Sequence, residues 1–189
     1  MARIHLHPGV SALSGRLGDW VFRTRNDRTY ASRLPERRRD DPTEAQLAQR
    51  LRFREAAAYA RAALANPPAR AFYADCGARK QLSAYAAAMR DALNAPVIHD
   101  IALTLYQGYP GDEIIVHASD DSEVAGVTVA IRDMTGRIIE TGAARPYDGV
   151  WIYDATTRAP YGQPLTIVVT ALDRPGNEVT RTKPWVPTS

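Results

Sequence analysis

From Val97 onward, apolar and polar residues alternate in short runs separated by turn-forming residues. The run from Val124 to Met134 sets the pattern. Val127, Val129 and Ile131 fall on one face of an extended strand, and Thr128, Ala130 and Arg132 on the other, a period of two that a helix cannot satisfy. Thr135-Gly136 then turns the chain, and Arg137 to Thr141 returns beside it. The same reading predicts seven strands: Ile98 to Tyr106, Asp112 to Ala118, Val124 to Met134, Arg137 to Ala143, Val150 to Thr156, Pro164 to Leu172, and Glu178 to Lys183. The inward set is Ile101, Leu103, Leu105, Ile114, Val116, Val127, Val129, Ile131, Trp151, Tyr153, Leu165, Ile167, Val169 and Ala171. Burying each such side chain contributes on the order of 1.5–3 kcal/mol, enough for this half to fold unaided.

Upstream, the period changes. Asp41-Pro42-Thr43-Glu44 carries helix-start chemistry, with Asp41 or Thr43 able to cap free amides and Pro42 suited to the first turn. The following segment to Leu64 is rich in strong helix formers, and Leu47, Leu51, Ala58 and Ala62 follow helical spacing, with Phe53, Ala57 and Leu64 widening the stripe. Asn66-Pro67-Pro68 ends this helix and begins a second that runs to about Gly77. Gln81 to Leu93 predicts a third, with Leu82, Tyr85, Met89 and Leu93 on one side. The alanine content implies close helix approach and a thin core that the hairpin or a second copy would complete.

Before the helices, Asp19 to Arg25 and Arg28 to Leu34 read as two strands joined at Asn26-Asp27, both tolerant of positive φ. Gly15 and Gly18 mark a bend. Their spacing fits neither a dinucleotide nor a phosphate-loop fingerprint. Trp20, Arg23, Arg25, Arg28 and Arg33, continued by Arg37, Arg38 and Arg39, form a basic, partly aromatic strip. Two readings stand level: contact with phosphates or an acidic neighbour, and a solvated hairpin edge that uses charge to resist unwanted strand pairing.

Charge sharpens this picture by halves. Residues 1–95 hold 17 Arg or Lys against 9 Asp or Glu, a net +8, whereas residues 96–189 hold 7 against 12, a net −5. A basic front joined to an acidic β module invites a polyanionic partner or head-to-tail contact between copies. The expected organisation is therefore α+β in two domains. Residues 1–95 would form a basic hairpin with a three-helix bundle, and residues 96–189 a seven-stranded antiparallel sandwich with a C-terminal tail. In that tail Trp185 sits between prolines, either as an exposed anchor for a neighbour or packed back over its own sandwich.

The glycine-flanked hairpin SGRLGDWVFRTRNDRTYASR, the helix start PTEAQLAQR and the run RFREAAAYARAAL resemble small uncharacterised proteins of bacterial genomes and prophages. In some of these the context implies a virion or particle component. HASDDSEVAGVTVAI and VTALDRPGNEV resemble bacterial immunoglobulin-like domains, which carry an Ala-x-Asp-x-x-Gly-Asn turn before the last strand, here Ala171, Asp173, Gly176 and Asn177. The disulfide found in some such domains is absent, since Cys76 is the only cysteine. The resemblance implies a sandwich used as spacer, adhesive unit or assembly surface, without choosing among them.

No catalytic constellation is visible. The four histidines are scattered at 5, 7, 99 and 117, and the acidic residues sit mainly in turns, so neither an enzyme, a cofactor nor a small-molecule substrate is expected. Asp120, Asp121 and Asp173 could gather calcium at one end of the sandwich, but carboxylates in such turns ordinarily accept their own backbone N–H groups, and no metal is expected. His5 and His7 share a strand face without further ligands nearby. No apolar run reaches the ~20 residues of a membrane span. No secretory leader is evident and no disulfide can form, so the expectation is a cytoplasmic protein or part of a particle assembled there. Two functions follow: a structural, self-assembling protein, or a nucleic-acid binder using the basic half.

Overall fold

The computed structural model describes residues 2–4, 13–25, 28–34 and 41–187. Contacts divide the chain into two units, Met1–Thr43 and Glu44–Ser189. The division falls after Thr43 rather than after Ala95, where the composition changes, because the helices bond into the loops of the sandwich that follows them.

The first unit is one antiparallel sheet in the order β1-β4-β3-β2, from β1 (Ala2–Ile4), β2 (Gly15–Leu17), β3 (Trp20–Arg25) and β4 (Arg28–Arg33). Gly18, at φ 58°, supplies the left-handed turn between β2 and β3. Thr29 and Ala31 are its buried residues among those described, and Thr29 shares a 2.9 Å hydroxyl bond with Thr24 across the strands. The Asn26-Asp27 turn lies outside the described residues.

The second unit begins with α1 (Glu44–Ala65), α2 (Pro67–Arg79) and α3 (Ala84–Leu93). Pro67 and Pro68 open α2, where a missing amide is not needed. α3 starts three residues later than its apolar pattern suggests, because Ser83 caps it by accepting the Ala86 amide at 3.1 Å, while Gln81 takes φ 56° in the turn before. That turn lies directly on α2: a Cβ added to Gly77 would come within 2.7 Å of the Leu82 carbonyl oxygen. The helical core is small. Ala60, Tyr73, Ala87 and Ala88 form it, with Tyr59, Ala63, Phe72, Ala84 and Met89 partly covered at its margin. Cys76 is a free, buried thiol.

The stripe expected to bury α1 is not the one that packs. Ala56 and Ala60 face the other helices, whereas Leu47, Leu51 and Phe53 remain about half exposed and Ala58 and Ala62 are open to solvent. The alanines allow close approach on the inner side, so the larger leucines are left on the opposite side of the cylinder.

Two four-stranded antiparallel sheets follow. One has the order β5-β6-β10-β9, from β5 (Val97–Ala102), β6 (Glu113–Ser119), β9 (Arg145–Tyr147) and β10 (Val150–Asp154). The other runs β12-β11-β7-β8, from β7 (Val124–Arg132), β8 (Ile138–Ala143), β11 (Leu165–Asp173) and β12 (Glu178–Trp185). Their inner faces share one core, so this part is β-sandwich-like. Val129 pairs with Val169 and Ile131 with Ile167 at its centre, all essentially inaccessible to solvent. The inward set holds with one exception. β5 ends at Ala102, so Leu105 is 54% exposed, and Tyr106 fills the core in its place. Arg181 and Lys183 of β12 donate to the carbonyls of Ile98 (2.9 Å) and Ile101 (2.6 Å), closing an edge of β5 that would otherwise be unpaired.

Candidate functional site

Cross-strand register splits the basic strip of the first unit between two faces. Trp20 stands opposite Arg33, and Phe22 opposite Ala31, on one face; Arg23 stands opposite Tyr30 on the other, in phase with Arg28. The Arg33 guanidinium lies 6.0 Å from the centre of the Trp20 ring, within cation–π range. Arg25 closes the β3–β4 register opposite Arg28. Arg37, Arg38 and Arg39 lie outside the described residues. Among the described residues, the ion pairs within 4.0 Å all fall between Asp75 and Lys183, so Arg23, Arg28 and Arg33 have no carboxylate partner there. Leu17 and Trp20 are 72% and 44% exposed. This sheet thus presents cations and large apolar groups together.

Trp185 differs. Its indole N–H donates to the Tyr106 carbonyl at 3.1 Å, and the two rings meet edge to face with centres 5.0 Å apart. At 9% exposure it is a core residue and offers no anchor. The closing turn of β12 therefore follows the alternative of packing over its own sandwich.

The third region joins two loop carboxylates expected to meet, Asp120 and Asp173, to one that nothing in the sequence signals, Asp91. Where the helices meet the sandwich, carboxylate oxygens of Asp91 in α3, Asp120 after β6 and Asp173 at the end of β11 lie within 4.8 Å of one another. Asp91 is fully buried and accepts from Tyr73 at 2.5 Å and from the Ser122 hydroxyl. Because the single Tyr73 proton goes to an ionised Asp91, Tyr59 must donate in the 2.7 Å Tyr59–Tyr73 bond. Burial pushes the Asp91 carboxyl up to about 6; the Ser122 and Tyr73 bonds oppose that, and Asp120 reinforces it. Burial likewise raises the Tyr73 hydroxyl, with Asp91 adding to the effect.

The turn reading of the acidic loops holds for two of their members. Asp120 accepts the Ser122 amide at 2.9 Å, and Asp173 accepts the amides of Gly176 (2.8 Å) and Asn177 (2.6 Å). Asp121 instead reaches the helices, meeting Arg90 at 2.9 Å, Lys80 at 3.4 Å and Asn94 at 2.6 Å. Burial alone would raise its carboxyl, but Asn94, Arg90 and Lys80 together hold it below the ordinary value. Asn177 adds longer bonds to the carbonyls of Asp91 and Asn94. Part of the charge contrast between helices and sandwich is therefore satisfied inside one unit. Asp120 Oδ1 is buried with no hydrogen-bond partner among the described residues. Asp91, Asp120 and Asp173 are the residues that could hold a metal ion, the partnership of Asp91 replacing that expected of Asp121. The same convergence of carboxylates is relieved when Asp91 takes up a proton.

Among the described residues no helix is long and apolar enough to cross a membrane. No protein-family model and no curated protein matches the chain. Among solved structures it is similar to CopC from Methylosinus trichosporium OB3b, at 15% identity and a TM-score of 0.38, over 49% of this chain and 92% of that one. It is also similar to a tetra-tandem repeat in the extending region of a large adhesion protein, at 19% identity and a TM-score of 0.32, over 50% of this chain. An engineered protein matches at 21% identity and a TM-score of 0.36, again over 50% of this chain. The chain spans 24% of the adhesion-repeat chain and 20% of the engineered one. Likeness at this level identifies no family and no function.

Proposed function

We propose that this chain is a non-enzymatic structural or assembly protein that packs into a homo-oligomer, filament or particle, formed in the cytoplasm, through its arginine-bearing N-terminal sheet and its β-sandwich. The observation that carries the reading is the β3–β4 sheet, where Arg33 lies beside half-exposed Trp20 on one face and Arg23 and Arg28 stand on the other, none of the three with a carboxylate partner among the described residues. Arg next to an exposed aromatic is the composition of a protein interface core. The sandwich is an immunoglobulin-like module in this account, a domain of its own. Its strand orders, β5-β6-β10-β9 and β12-β11-β7-β8, follow an ABED sheet facing a GFC sheet with one added strand, and the short β9 accounts for an eighth strand beyond the seven expected. Carboxylates outside internal pairs, such as Asp148 and Glu178, give it exposed acidic positions.

Reversing Arg23, Arg28 and Arg33 to Glu together tests this. Association measured by light scattering should be lost, and in the wild type it should weaken with added salt. A wild-type chain that stays monomeric at high concentration and low salt refutes the reading.

The Arg23–Tyr30 pairing beside Arg28 favours a second reading, single-stranded nucleic acid held by phosphate contacts and base stacking. Anisotropy titration would then show affinity falling with salt at a log–log slope of about −0.7 per phosphate contacted. A flat response removes it.

A further inference from the structure

Where the β5–β6 loop, the β10–β11 loop and the end of β12 come together, the sandwich opens into a cleft of about 540 Å³. That volume falls within the ~300–1,000 Å³ typical of ligand sites. Its base is built to hold its shape. Trp185 is fixed in the core by its bond to Tyr106, and the Ala159 amide donates to the Gly108 carbonyl at 2.8 Å. Gly108 has no room for a side chain, since a Cβ there would come within 2.8 Å of the Ala159 Cβ. The rim is aromatic and cationic. Tyr109 and Tyr161 are 52% and 97% exposed. The Arg158 guanidinium lies 5.1 Å from the centre of the Tyr109 ring and has no carboxylate within 4.0 Å among the described residues. We infer that this cleft binds an acidic oligosaccharide, with the tyrosine rings against the sugar faces and Arg158 on a uronate carboxylate.

The class of ligand follows from what the walls offer. A pyranose has a face of C–H groups edged by hydroxyls, so it lies flat on an exposed aromatic ring while its hydroxyls stay in water. A guanidinium held against an aromatic ring and left without an acidic partner is set to take a planar carboxylate through two parallel N–H bonds. An extended peptide would need main-chain partners, and the walls supply few. The amides of Gln107 and Tyr109 already donate to the Asp112 carboxylate at 2.7 and 2.8 Å, that of Ala159 is taken by Gly108, and Pro160 and Pro187 have none. A nucleic-acid strand would need a track of cations for its phosphates, whereas Arg158 is the one charged residue among the described residues that line the cleft. An acidic sugar is the ligand that uses both the rings and the single cation.

Calorimetric titration of the full chain with tri-galacturonate, tri-mannuronate, neutral galactotriose and a tri-glutamate peptide tests this. At least one of the two uronates should bind more tightly than galactotriose and tri-glutamate, by about tenfold or more. Arg158→Gln should remove that advantage and leave the affinity for galactotriose where it was. Tyr161→Ala should weaken both kinds of sugar. Both side chains are exposed, so neither variant should shift the thermal melt. Arg137→Gln, which removes an exposed arginine outside the cleft, should leave binding unchanged. Absence of uronate binding at millimolar concentration overturns the assignment. So does tri-glutamate bound as tightly as the uronates, affinity indifferent to Arg158→Gln and Tyr161→Ala, or an equal loss from Arg137→Gln.

Discussion

The sandwich and the helical layer of the second unit reach closure by different means. The sandwich encloses sixteen buried residues from both sheets, nearly all of them aliphatic or aromatic. The apolar cluster of the helical layer holds four, three of which are alanine, and the fourth, Tyr73, is bonded to Asp91, which Ser122 also meets. Leu47, Leu51 and Phe53 of α1 are left about half exposed. A protein whose apolar residues are in excess of what its own core can take has surface to offer a partner, and here that excess lies on α1 and the N-terminal sheet. The sandwich, by contrast, has even turned its last tryptophan inward.

Substitutions rank these regions. Ile167→Ala, at the centre of the sandwich, should cost about 2–5 kcal/mol, read as a fall in the denaturant midpoint at unchanged slope. A much smaller loss would mean that the sandwich core is as accommodating as the helical one. Tyr73→Phe keeps the ring but strips Asp91 of a donor and Tyr59 of an acceptor, for an expected loss of about 1–3 kcal/mol in the same measurement.

Asp91→Asn should change the pH dependence more than the midpoint. In the native state the Asp91 proton is held up to about pH 6, whereas an unfolded aspartate releases it near pH ~3.9. The native state binds more protons between those values, so this group's stabilisation is full below pH 4 and is lost as pH rises through about 6. Asparagine cannot titrate, so the variant should gain on the wild type across that window in melts at a series of pH values. Parallel curves would place Asp91 in an ordinary solvated setting. Smallest of all, Leu51→Ala should alter the stability of the dilute monomer by about 0.5 kcal/mol or less, since half its surface is already in water. A larger loss would show that the α1 face is already covered within one chain.

Legibility in the sequence followed the same division. Strands with clean alternation, such as Leu165–Asp173, announced both their extent and their inward side. Leu105 misled because alternation continues past Ala102 while the backbone leaves the sheet. Along α1, alanine at 56, 57, 58, 60, 62 and 63 gives every face similar character, so the leucines drew the stripe to the wrong side. The N-terminal arginines are plain by composition, but only the cross-strand register separates Arg23 from Arg33. Asp91 was invisible as a site residue because Tyr73 and Ser122 lie 18 and 31 residues away, and only the docking of α3 on the sandwich loops brings them together.

The central claim is that the basic N-terminal sheet is completed by another copy of the chain. Light scattering of the full chain over a wide concentration range at low salt tests it most directly. The mass should rise from 20.8 kDa toward multiples of that value and fall back as salt is added. A mass fixed at 20.8 kDa throughout, with the protein folded, would contradict it.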